Sequence, residues 1–151
     1  MKLRDEKHQL MLRYHGSRLL LMETRTSMIA QTRCFAKSMG FRLPECSAER
    51  FHKLDRSSWP SEFERMAWPM MDMAETVNLK IAAYDSMIAM LAEEPEFKEQ
   101  VRRAREAYGV GVVASTVIIV ANDGDPGRFK HARDIGQEYL AMRKSSKKTG
   151  A

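Results

Sequence analysis

From Lys2 to Met39 the chain contains no proline, and Gly16 is its only glycine. Nothing there interrupts a single helix much longer than the globular mean of about 11 to 12 residues. Tyr14, Leu21, Met28 and Phe35 recur at sevens, with Leu3 and Leu10 on the neighbouring seam, a spacing that predicts a coiled-coil stripe. The companion seam, Ser17, Thr24 and Gln31, is polar, so the helix must pack on a partner to be stable. Gly40, followed by Phe41 and Pro44, supplies a C-cap and a stop.

Residues 44–60 (PECSAERFHKLDRSSWP) hold turn formers and little periodicity, which reads as a loop with a short helical piece around Ala48 to Leu54. Ser61 is then the expected N-cap of a second long helix, with Glu64 as the other half of a capping box. Met66, Met70, Met73, Val77, Ile81, Tyr84, Ile88 and Leu91 form its apolar stripe. Pro69 either kinks this helix or starts it afresh. Two long helices with matching seams are expected to pair as an antiparallel hairpin or to join a dimer. The methionines among them read as adaptable core filling in preference to a binding groove.

Pro95 breaks the second helix, and a third is expected from about Glu96 to Ala107. After Tyr108-Gly109-Val110-Gly111 comes the apolar run Val112 to Ala121. Its valines and isoleucines allow a strand, but Ala114, Ser115, Thr116 and the helices on either side favour a buried helix. Asn122 to Gly127 reads as a turn, Arg128 to Met142 as a last helix, and RKSSKKTGA as a basic tail. The expectation is an all-α chain: a long antiparallel coiled-coil-like hairpin over 1–94, then a small helix-hairpin-helix-type domain over 95–151.

Charge is arranged in blocks. The formal net charge is +5, but residues 1–42 and the tail are basic whereas the stretch from Glu45 to Glu96 is acidic, which suggests phosphate contacts at separate places. Cys34 and Cys46 have no metal-ligand spacing around them, so neither a disulfide framework nor a zinc site is expected. No paired carboxylates, P-loop or nucleotide fingerprint is present, and the four histidines are scattered. The N-terminus has no signal-peptide core and no apolar run reaches the roughly 20 residues of a membrane span. A cytoplasmic, nucleoid-associated protein with no membrane partner is expected.

A helix, a Gly-Val-Gly bend and a second helix make a hairpin whose opening amides can hold a phosphate. Gly109, Val110 and Gly111 are thus candidate DNA-backbone contacts; the bland alternative is a tight packing turn. Arg128, Lys130 and Arg133 lie close after the turn, and Arg143 and Lys144 begin the basic tail, where they could add ionic contacts. Asp123 and Asp125 read as caps in preference to metal ligands.

The segment GVGVVASTVIIVANDGDPGRFKHARDIGQEYLAMRKSSKKTG resembles the C-terminal domain of insertion-sequence transposases of the DEDD, Piv-invertase type. Gly109, Val110, Gly111, Gly124, Asp125, Pro126, Arg128, Phe129, Arg133, Tyr139 and Leu140 fall where that family places a GVG, a GDP-x-RF turn and an aromatic-Leu pair. QLMLRYHGSRLLLMETRTSMIAQTRCFAKSMGFRLP is similar to the linking helix ahead of that domain. The resemblance implies DNA as partner, a guide RNA in full-length relatives, and a serine nucleophile near the C-terminus.

This chain departs from the pattern. The family's Gly-Leu becomes Ala141-Met142, and its Ser-Gly becomes Thr149-Gly150. Thr149 is therefore the candidate nucleophile, crowded by its β-branch; a gap would substitute Ser145 or Ser146, neither of which precedes glycine. The family's RuvC-like domain, which would hold divalent metal, has no counterpart, so no cofactor is expected in this chain. The sequence leads to a truncated or degenerate transposase that binds DNA in a transposition or recombination system. The alternatives are a helical oligomerisation protein that regulates full-length transposase subunits, or a generic DNA-binding module. A homo-oligomer, or assembly with full-length transposase subunits, is expected.

Overall fold

The computed structural model describes residues 6–121. They form α1 (Glu6–Ser38), α2 (Ser61–Ala92), α3 (Pro95–Tyr108) and α4 (Val112–Ala121), with a 3-10 turn at Phe51–Lys53 and no strand among the described residues. The fold is all-α. The expected helix at 128–142 lies outside the described residues. The described residues divide into two compact units, one of residues 16–84 and one that joins residues 6–15 with residues 85–121.

In the 16–84 unit, α1 ends where glycine permits it. Gly40 has φ +87°, the left-handed region that costs an L side chain about 1–2 kcal/mol. Its N–H donates to the Lys37 carbonyl at 3.0 Å and the Phe41 N–H to Ala36 at 3.1 Å, the paired bonds of a Schellman motif. The chain then returns under Arg33, whose guanidinium donates to the carbonyls of Leu43 (3.2 Å) and Pro44 (2.9 Å) and lies 5.4 Å above the Phe51 ring. Ala36, Leu43, Phe51, Phe63, Ala67 and Met71 form the core here. Phe63 is its hub: Phe41 and Trp59 meet it edge-on at 4.8 and 5.0 Å, and Phe35 stacks at 6.0 Å. Phe35 lies beside Phe63 while Arg25 reaches Asn78, so the two helices run antiparallel within this unit.

α2 starts one residue earlier than expected. The Glu64 N–H donates to the Pro60 carbonyl at 3.0 Å, which puts Pro60 at the N-cap and Ser61 in the first turn, so the expected capping box with Ser61 as cap is not the one used. Pro69 lies inside a continuous helix on its exposed side. Water there can satisfy the Arg65 carbonyl that loses its helical donor.

The buried faces match the expected stripes only in part: on α2, Val77, Ile81 and Ile88 are buried as expected, and the rest differs. On α1 the buried residues are Arg25, Thr32 and Ala36 in this unit, whereas Leu21 and Met28 are half-buried and Phe35 is exposed. On α2, Phe63, Ala67, Met71 and Ala74 are buried while Met73 is 51% exposed. Ala36, Ala67 and Ala74 are thus buried where the larger Met73 is not.

The other unit is built on Met11, Ile88, Ala92, Phe97, Val101, Ile119 and Val120. Met11 of α1 thus shares one core with Ile88 and Ala92 of α2. Glu94 is extended and Pro95 opens α3 at its first position, where a missing N–H costs nothing. Lys7 bridges this junction, 2.8 Å from Glu96 and 3.3 Å from Glu94. Those hydrogen bonds raise the lysine above its ordinary range, and the bond to Lys7 lowers Glu96. The His8 ring tilts against Phe97 at 4.8 Å.

Candidate nucleic-acid interface

The bend between α3 and α4 forms for local reasons. Gly109 has φ +63° and ψ +28°, and its N–H donates to the Arg105 carbonyl at 2.9 Å, a left-handed C-cap with one bond. Two residues later the Gly111 carbonyl accepts from the Ser115 N–H (3.0 Å) and from its hydroxyl (2.8 Å), so Gly111 is the N-cap of α4. The two helices meet at 106°.

The first amides of α4, at residues 112–114, have no acceptor within their own helix. Gly109 and Gly111 are exposed, and Val110 is half-buried. A side-chain carbon at either glycine would meet nothing within 4 Å among the described residues. Only Gly109 needs glycine for its backbone angle; Gly111 adopts an ordinary φ.

α4 is anchored from below. Ser115, Thr116 and Ile118 to Ala121 are buried, so the Val112–Ala121 run is the buried helix, not the strand that its valines and isoleucines also allowed. His15 Nε2 lies 2.9 Å from Thr116 Oγ1 in a buried contact, and the same hydroxyl donates to the Val113 carbonyl at 2.8 Å. With its hydrogen committed to Val113, the hydroxyl accepts, so His15 donates from Nε2. This bond ties the first turns of α4 to α1 within the unit and holds the bend in place.

The cations beside the bend are unequal. Arg102 is held by Glu99 at 2.6 Å and Glu106 at 2.7 Å, and Arg103 by Glu99 at 3.1 Å. The Arg102 hydrogen bond, with help from Arg103, pulls Glu99 down to about 2, and Arg102 is raised in turn. Arg105, in the last turn of α3, is exposed and makes no ion pair among the described residues. Tyr108, directly before the bend, is 38% exposed.

No protein-family model matches the chain, and no curated protein or solved structure is similar to it.

Of the residues expected to contact DNA, Gly109, Val110 and Gly111 are together on the surface. Arg128, Lys130, Arg133, Arg143 and Lys144 lie outside the described residues, as does the candidate nucleophile Thr149. Arg105 and Tyr108 were not singled out from sequence. Their signal was position, since the last helical turn before a left-handed glycine must flank whatever the next helix start presents. Among the described residues no group of three or more His, Cys, Asp and Glu side chains converges to hold a metal ion. No single described helix is long and apolar enough to cross a membrane.

Proposed function

We propose that the chain binds the phosphate backbone of DNA at the Gly109 to Gly111 bend, as part of an insertion-sequence transposition or recombination system. The reading is supported chiefly by one arrangement: an exposed bend, unobstructed among the described residues, that opens a helix of 10 residues anchored in a core. Helix-start amides offer a fixed set of donors and the positive dipole end to an anion. Arg105 adds a charge that no carboxylate among the described residues holds. The link to transposition comes from the GVG and GDP-x-RF resemblance, with a guide RNA and the family's other subunits as further proposed partners.

Fluorescence anisotropy on a labelled duplex between 50 and 200 mM salt tests the reading. Val112→Pro deletes one opening amide at a helix position that tolerates proline, and should lower affinity roughly tenfold or more, the value of a charge-assisted hydrogen bond of about 1.5–3 kcal/mol. Arg105→Ala should weaken binding and reduce the salt slope by about 0.9. Unchanged affinity in both variants, or no binding by the unaltered chain, rejects the assignment.

A second reading draws on a different observation. Leu20 is 63% exposed, Leu79 68%, Met90 75% and Trp68 51%, apolar side chains that suit a helical partner and the role of an oligomerisation protein. Sedimentation velocity separates the two, because an assembly that ignores DNA supports only this reading.

A further inference from the structure

The face of α1 that packs inside the 16–84 unit carries a cation. Arg25 is 6% exposed. Its Nη1 donates to Asn78 Oδ1 at 2.8 Å, Nη2 lies 3.5 Å from Glu49 Oε1, and its buried Nε has no acceptor. A guanidinium can only donate, so Asn78 must turn its oxygen toward Arg25 and its NH2 the other way. That NH2 faces the Glu49 carbonyl at 3.3 Å and His52 Nδ1 at 3.4 Å. The imidazole Nδ1 is thereby the acceptor, which places the proton of the neutral ring on Nε2, 4.0 Å from Glu75 Oε1. One permanent donor orients an asparagine, and the asparagine orients a histidine on the returning segment.

Away from the Phe63 hub, the rest of the pairing specifies little. Ala36, Ala67, Met71, Ala74 and Val77 fill the buried seam, and small or flexible side chains repack readily after a shift. Arg25 cannot. Moving α1 by one helical turn along α2 puts Ala74 or Ala82 where Asn78 stands, and neither side chain accepts a hydrogen bond. Either of these two slips therefore strands a buried charge.

We propose that the Arg25–Asn78 relay is a register lock: it selects one alignment of residues 16–38 against residues 61–84, excluding slipped and partner-exchanged pairings, and adds no net stability. Buried polar pairs replaced together by apolar groups of similar volume leave stability level or higher, so the two roles can be separated. The double variant Arg25→Met with Asn78→Leu is compared with the unaltered full chain by thermal melting, amide NMR spectra and light scattering. The expected result is a melting temperature equal or raised, with a second set of amide cross-peaks for residues 16–84 or an added oligomer. A single set of cross-peaks with unchanged mass overturns the proposal, whether melting falls or not. Should the double variant fail to fold, Asn78→Ser decides, since its short hydroxyl cannot bridge Arg25 and His52. A second cross-peak set there supports the lock, and a single set overturns it.

Discussion

The two units close their cores with different materials. Residues 16–84 gather Phe35, Phe41 and Trp59 around the Phe63 ring, with Phe51 in the same core, whereas the other unit relies on methionine, isoleucine and valine with Phe97 as the one buried aromatic ring of its core among the described residues. Aromatic rings add edge and stacking energy to burial, about 0.5–1.5 kcal/mol per pair. The aliphatic unit gives up that gain and carries the proposed interface on its margin. A concentrated hub suits a turn that must be held shut, and a thin aliphatic layer under α4 leaves the bend exposed.

The largest effect should come from the hub. Phe63 and Phe97 are both 0% exposed, and each truncation to alanine costs about 3–5 kcal/mol by burial. Phe63→Ala also removes three ring pairs, so it should destabilise by at least ~1 kcal/mol more than Phe97→Ala. Urea unfolding checks this, with a useful asymmetry of probes: Trp59 and Trp68, the only tryptophans, both report the 16–84 unit, while circular dichroism reports both. Equal losses would break the contrast between the cores.

Next come the two buried threonines. Thr116 accepts from His15, on another helix of its unit, whereas Thr32 donates only to the Met28 carbonyl of its own helix at 2.9 Å. Thr116→Val should cost about 1–3 kcal/mol, the penalty of removing the acceptor a buried donor faces. Thr32→Val should cost ~0.5 kcal/mol or less, since a hydroxyl bonded back to its own helix contributes little. Matching values in the two variants would show that the His15 bond does not anchor α4.

These residues also show what was legible in the sequence. Gly40, Pro95, Gly109 and the apolar run from Val112 mark helix ends by chemistry that acts on the backbone itself, and the all-α class followed from them. The GVG bend was legible for the same reason. The buried face of α1 was not, because Arg25 and Thr32 count as polar in any hydropathy pattern and are buried only because partners from α2 and from their own helix satisfy them. The α2 face was misread over its first turns because Met66, Met70 and Met73 outweigh Ala67 and Ala74 in hydrophobicity, although the alanines are the ones fully buried. Arg105 was hidden among arginines of equal appearance, distinguished only by which of them carboxylates hold.

The two helix-ending glycines give a smaller test. Neither has an obstacle where a side chain would go, so alanine should cost only backbone strain, about 1–2 kcal/mol for the left-handed conformation. Gly40→Ala should sit at the upper end and Gly109→Ala at the lower, because the first cap closes with two hydrogen bonds and the second with one. Gly111→Ala should change the melting temperature least of the three, as its φ is ordinary. If Gly109→Ala leaves stability nearly intact yet weakens DNA binding, the shape of the bend itself is what the backbone contact uses.

The smallest effect is expected on the exposed face of α3, where stability and binding should move in opposite directions. Glu99 sits near 2 in the folded chain against its ordinary 4.5, so its contribution is fully present above about pH 4.5 and is lost as the pH falls toward 2. The difference in melting temperature between the unaltered chain and Glu99→Gln should shrink over that window and vanish at its lower end. Salt should also reduce it, as for any exposed ion pair. At neutral pH the same substitution frees Arg103 and leaves Arg102 with Glu106 alone, which increases the positive field beside the bend. Glu99→Gln should therefore melt slightly earlier and bind duplex DNA slightly more tightly. A loss of affinity would mean that these arginines face away from the bound backbone, and Arg105 alone would then carry the charge of the interface.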